Sequence, residues 1–122
     1  MAIDLLYQAD ITGEDPVEAL EGWEQAGKVV PAFTRELVEG VATFQPEIDL
    51  LLEENAVEWT VARMATVDRT ILRVAVHELR HRPDVPPSVA ISEAVEAASD
   101  LSADESKAFV NGILGKIARE NA

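Results

Sequence analysis

Apolar side chains recur most densely between Val67 and Leu101, and their spacing there organises the reading of the whole chain. Ile71, Leu72, Ala75, Val76 and Leu79 follow at one-, three- and four-residue steps, with Val67 and Val74 widening the stripe, which predicts a helix over about Asp68 to His81. A helix apolar over so much of its surface needs neighbours on more than one side, so it is expected at the centre of the fold. Arg80, His81 and Arg82 place cations at the negative end of its dipole, and Pro83, Pro86 and Pro87 forbid continuation.

The flanking segments show the same periodicity. Ile3, Leu5, Leu6 and Ala9 predict a short first helix that ends before Gly13. Asp15, Pro16 and Glu18 then form a start signal, with Asp15 as N-cap, Pro16 at the first helical position and Glu18 reaching back from the third. Val17, Leu20 and Trp23 face the core of that second helix, and Gly27 ends it. A third helix opens at Pro31 and presents Phe33, Leu37, Val41 and Phe44; Gln45-Pro46 is expected to break or kink it before Ile48, Leu51 and Leu52 carry the apolar side onward. Thr60, after Trp59, is the expected cap of a short helical turn with Val61 and Met64 inward. Beyond the proline loop either Ser88 or Ser92 could cap a helix whose inner side is Ile91, Val95 and Ala98. Ser102 and Glu105 make a second capping box before a last amphipathic helix carrying Phe109, Val110, Ile113, Leu114 and Ile117. Gly112 inside that helix costs roughly 1 kcal/mol relative to alanine, which predicts a close helix crossing there. No stretch alternates with period two, so no strand is predicted, and the fold class is all-α in a single domain over residues 1–122.

Composition narrows the function classes. With no cysteine, thiolate catalysis and cysteine-ligated metal centres are excluded. No apolar run approaches the roughly 18 residues that cross a bilayer, and Met1 is followed by Asp4 rather than a basic and then apolar leader, so the expectation is a cytoplasmic protein without a membrane partner. The net charge of -13 is unevenly spread: residues 1–62 hold 14 acidic and 2 basic side chains, residues 63–122 hold 9 and 8. A phosphate-binding footprint could therefore lie only on the second half, while the acidic half favours basic partners.

His77-Glu78-Leu79-Arg80-His81 has the form H-E-x-x-H, in which two helical histidines four apart can share one zinc ion. Arg80 would set a cation beside that dication, Pro83 ends the helix at once, and Glu93, Glu96 and Asp100 are the only loosely placed third ligands. Two exposed histidines at a helix end are the preferred reading, with no metal and no cofactor. Arg69, Arg73, His77 and Arg80 form a basic stripe that faces RNA phosphates or, as the preferred reading, pairs with the acidic first half or simply faces solvent. Adjacent carboxylates such as Glu53-Glu54 do not converge as an acid-base pair, and no nucleophile elbow or phosphate-cradling glycine loop occurs, so no enzyme is expected.

Together, VDRTILRVAVHELRHRPDVPPSVAISEAVEAA and SADESKAFVNGILGKIA closely resemble the NusB family of bacterial transcription antitermination factors. Weaker echoes in LLYQAD, ELVEGVA and the W-x-x-x-R pattern from Trp59 to Arg63 extend the likeness over nearly the whole chain. The resemblance implies two small helical bundles packed around a central helix, without catalytic activity. It implies pairing with NusE, a protein of the small ribosomal subunit, and joint binding of boxA RNA within the RNA polymerase antitermination complex. Matched residue by residue, Asp68, Arg69 and Arg73 would meet NusE. Glu105, Lys107 and Phe109 would lie near RNA, and Asn111 would be structural.

The chain departs from the family before LLYQAD, where members carry an arginine-rich segment that supplies phosphate contacts. Either the start lies upstream of Met1 or RNA affinity is reduced or lost, so binding by this chain alone is expected to be weak and strongly salt-dependent. Two alternatives follow: a helical protein-interaction module that has lost RNA, or the NusB-like domain of an RNA cytosine methyltransferase, which would need a Rossmann-type domain after Ala122. A homodimer is compatible with either, because an exposed partner surface can also self-associate.

Overall fold

A computed structural model of the chain describes residues 2–56 and 60–120. Its elements are α1 (Ala2–Thr12), α2 (Pro16–Gln25), α3 (Ala32–Asn55), a 3₁₀ turn (Val61–Arg63), α4 (Thr66–His81), α5 (Pro87–Leu101) and α6 (Asp104–Glu120). Among the described residues there is no strand, and the fold is all-α as expected. Trp59 lies outside the described residues.

The central helix is α4, which packs against α1, α3, α5 and α6. It stands between two apolar clusters. One gathers Leu5, Leu6, Leu20, Leu37, Val38 and Val41 from the first three helices and takes Val74 from α4. The other joins Ile48 and Leu52 from the far half of α3 to Ala98, Val110 and Leu114, and takes Ile71, Leu72, Ala75 and Val76 from α4. These clusters are the cores of the two small bundles. Because full burial of one such side chain stabilises by roughly 1.5–3 kcal/mol, the near-continuous apolar surface of α4 couples the two halves.

Local signals set several boundaries. Asp15 caps α2 by accepting the Glu18 backbone N–H at 3.2 Å, and Gly13 and Gly27 end α1 and α2 at φ of 76° and 89°, where a side chain would be strained. Helix α4 begins at Thr66, two residues before the predicted start.

Other expectations are corrected. Helix α3 continues through Pro46, because Val41 on one side and Ile48 and Leu52 on the other are buried, and this packing outweighs one lost backbone hydrogen bond. Thr60 makes no side-chain cap; the Val61 N–H donates instead to Glu53 Oε1 at 3.1 Å. Neither Ser88 nor Ser92 caps α5, which opens with Pro86 as the flanking residue and Pro87 in its first turn. The most buried stripe of α5 is Ala90, Ala94 and Ala98, while Ile91 and Val95 are half-buried against the second core. Gly112 is exposed, with open space where its Cβ would be. The close approach lies at Gly40 of α3, where a Cβ would overlap Cε1 and Nε2 of His77.

Candidate partner and nucleic-acid surface

Helix α4 starts beside the junction of α5 and α6, and Asp68 in its first turn is only 8% exposed. Ser102 Oγ donates to Asp68 Oδ1 at 2.6 Å and Ser106 Oγ donates to Oδ2 at 2.9 Å. The two hydroxyls lie 2.9 Å apart. One carboxylate thus ties together three helix ends: the start of α4, the end of α5 and the first turn of α6. The expected Ser102–Glu105 capping box is not what Ser102 does; as the residue ending α5 its hydroxyl turns to Asp68, since a buried charge demands hydrogen bonds more strongly than an exposed helix start does.

Around this knot opens a cleft of about 490 Å³ lined by Arg63, Met64, Ala65, Asp68, Glu105, Ser106 and Phe109. The fold therefore brings Asp68 of α4 to Glu105 and Phe109, neighbours on α6 that are far from it in sequence. Phe109 is half-buried, its inner side against the second core. Lys107 and Asn111 are exposed on the same helix and do not line the cleft. Arg63, exposed at the rim, and Ser106, buried beneath, were not singled out from sequence as site residues. The four-residue spacing of Ser102 and Ser106 was the available signal for the second.

Arg69 and Arg73 point elsewhere. Arg69 Nε donates to Asp10 at 2.6 Å, and Arg73 grips both Asp49 oxygens, at 2.9 and 3.0 Å, while Nη1 reaches Asp10 at 3.5 Å. Of the fates open to the basic stripe, RNA phosphates, solvent or the acidic first half, these side chains take the last. Arg80 and His81 lie 3.6 and 3.3 Å from the Glu47 carboxylate.

The histidines of the H-E-x-x-H run are not two exposed side chains. His77 is 4% exposed beneath Gly40, and its Nδ1 has no partner among the described residues. Burial, then the charges of His81 and Arg82, push His77 below the ordinary imidazole range, which favours the neutral ring. His81 is half-buried and stacks on Phe44, ring centres 3.7 Å apart and planes 11° from parallel. Among the described residues no group of three or more His, Cys, Asp or Glu is placed to hold a metal ion.

The model of the NusB family matches residues 1–119. The chain belongs to the NusB family. It is similar to the transcription antitermination protein NusB of Saccharopolyspora erythraea, 51% identical over 120 residues that cover 96% of this chain and 81% of that one. The NusB of Clavibacter sepedonicus is 47% identical over 127 residues, covering 99% and 93%. Among solved structures, T. maritima NusB superposes with a TM-score of 0.87 at 33% identity over 98% of this chain and 86% of that one. A chain from a crystal structure of the antitermination factors NusB and NusE in complex with dsRNA gives 0.84 at 25% identity, over 98% and 91%. The chain is accordingly a NusB-family transcription antitermination factor, and NusB-family proteins are not enzymes.

Proposed function

We propose that this NusB-family chain acts in ribosomal RNA transcription by binding boxA RNA together with NusE as part of the RNA polymerase antitermination complex, in the cytoplasm and as a single domain. The observation that supports this reading most is the cleft itself. It sets the expected partner residue Asp68 and the expected RNA residues Glu105 and Phe109 around one opening, with Lys107 on the adjoining exposed face. A protein and an RNA docking there would adjoin one another. The likeness to a chain solved with NusE and dsRNA supports partners of these two kinds. In this reading Arg69 and Arg73 act toward NusE from within their ion pairs with Asp10 and Asp49, holding α4 in place beside the partner.

A second reading, an interaction module that keeps NusE and has lost RNA, is favoured by the net charge of -13 and by the commitment of Arg69 and Arg73 to carboxylates. One experiment separates the two. The chain, NusE and their mixture are titrated with boxA RNA at two salt concentrations in a gel-retardation assay. The first reading expects weak, salt-sensitive retardation by the chain alone and much tighter binding by the pair. Stable pairing with NusE and no added retardation by the pair would select the second, and failure to pair at all would refute both.

A further inference from the structure

The fold gives the Asn111 side chain no partner. It is exposed on α6, and among the described residues no hydrogen bond holds its amide. Of the three asparagines in the chain, it alone precedes a glycine. Asn55, by contrast, is 5% exposed, donates from Nδ2 to the Leu51 carbonyl at 2.8 Å and is followed by Ala56. The glycine matters chemically, because without a Cβ its backbone nitrogen can approach the preceding side chain freely. At Gly112 no heavy atom lies within 4 Å of the position a Cβ would take, so neighbouring elements do not crowd the pair either. The helix acts in the opposite direction. Within α6 the Gly112 N–H is given to a carbonyl one turn back, and the α conformation of Asn111 holds that nitrogen away from its Cγ. Val110, Ile113, Leu114 and Ile117 bury the inner side of α6 and resist its opening, while Gly112 and Gly115 are its weakest helix formers.

We propose that Asn111 is a site of spontaneous deamidation, gated by local opening of α6. When that turn opens, the Gly112 backbone nitrogen attacks Asn111 Cγ. The new C–N bond closes a succinimide ring, and the side-chain nitrogen leaves as ammonia, carrying off the proton of the former Gly112 N–H. Water then adds to either imide carbonyl, and ring opening yields aspartate or isoaspartate, with no oxidant or reductant involved. Both products place a new carboxylate one turn from Lys107 on the same face, on a chain already at net charge -13. The isoaspartyl product also adds a carbon to the backbone and interrupts the helical ladder. Any consequence for RNA through Lys107 rests on the function proposed above; the conversion itself does not.

The test incubates the full chain in mildly alkaline buffer, folded and in urea, and follows the Asn111 peptide by chromatography and mass spectrometry. Expected is conversion to aspartyl and isoaspartyl forms in both, slower in the folded chain by roughly tenfold or more because it waits on opening. Asn55 should stay intact in the folded chain. Ile117→Val trims a buried contact without touching the dipeptide, so it should raise the folded rate by roughly two- to tenfold and leave the rate in urea unchanged. Gly112→Ala should slow conversion in both states. The proposal is overturned if folded and unfolded chains convert at the same rate, if neither converts, or if only the unfolded chain does, which would mean a sealed site. Wild-type rates in Ile117→Val or in Gly112→Ala would also overturn it, as would equal conversion of Asn55 in the folded chain. Mass spectrometry reads the conversion whether or not RNA is bound, so failure here is distinguished from failure of the RNA reading.

Discussion

Replacing Gly40 by alanine tests how α3 and α4 meet. The added methyl would overlap Cε1 and Nε2 of His77, and that ring has little room to yield. It is 4% exposed, with Phe44 and His81 stacked alongside at centroid distances of 6.1 and 5.6 Å. Overfilling a packed site destabilises by about 1–3 kcal/mol, whereas exchanging a mid-helix glycine for alanine returns about 1 kcal/mol of helix propensity. The steric effect should win, leaving a net loss of up to about 2 kcal/mol, which lowers the melting midpoint of a chain this size by up to roughly 10 °C. Gly112→Ala is the matched control, since open space surrounds its Cβ position; it should stabilise by up to about 1 kcal/mol. Urea and thermal denaturation followed by circular dichroism read both variants. The double variant Gly40→Ala/His77→Ala should recover much of the loss, because the second change removes the ring that the methyl strikes. If Gly40→Ala matched Gly112→Ala in stability, the close-packing argument would be wrong.

Three further outcomes are expected. His77 is held below the ordinary imidazole value of 6.5, so the unfolded chain takes up this proton at higher pH than the folded one does. The His77 contribution to stability is therefore lost as pH falls from that value toward the folded one, and the wild-type minus His77→Leu difference in melting midpoint should shrink on acidification; a difference flat with pH would contradict this. Asp68→Asn keeps the shape but weakens two charge-assisted hydrogen bonds from Ser102 and Ser106, so urea titration should show a loss of about 1–3 kcal/mol, and an unchanged midpoint would show the knot to be idle. Arg73→Lys cannot grip both Asp49 oxygens, and its loss of about 1 kcal/mol should vanish in an Asp49→Asn background if that bidentate pair is the cause.

Much of the architecture was legible before any coordinates. Periodicity placed α4 at the centre, the Asp15-Pro16-Glu18 run placed the start of α2, and the run from Val67 through the Phe109 segment carried the family resemblance. These are signals written within a turn or two of helix, where the chain's neighbours in space are its neighbours in sequence. Of the break or kink expected at Pro46, the break did not occur, because what keeps α3 continuous is tertiary burial on both sides of the proline.

The amino-acid order by itself determined an all-helical chain, the identity of its central helix and the asymmetry of its charge. Only the folded arrangement decided between rival uses of the same side chain. Ser102 could cap a helix or serve a buried carboxylate, and Arg73 could face solvent or Asp49. His77 could bind a metal or fill the space left by Gly40. Each choice turns on a partner tens of residues away, such as Asp68 for Ser102 or Gly40 for His77, whose distance no local pattern encodes. Burial then settles it, because an unpaired charge or a steric overlap inside the core outweighs the modest free energy of a cap or an exposed ion pair.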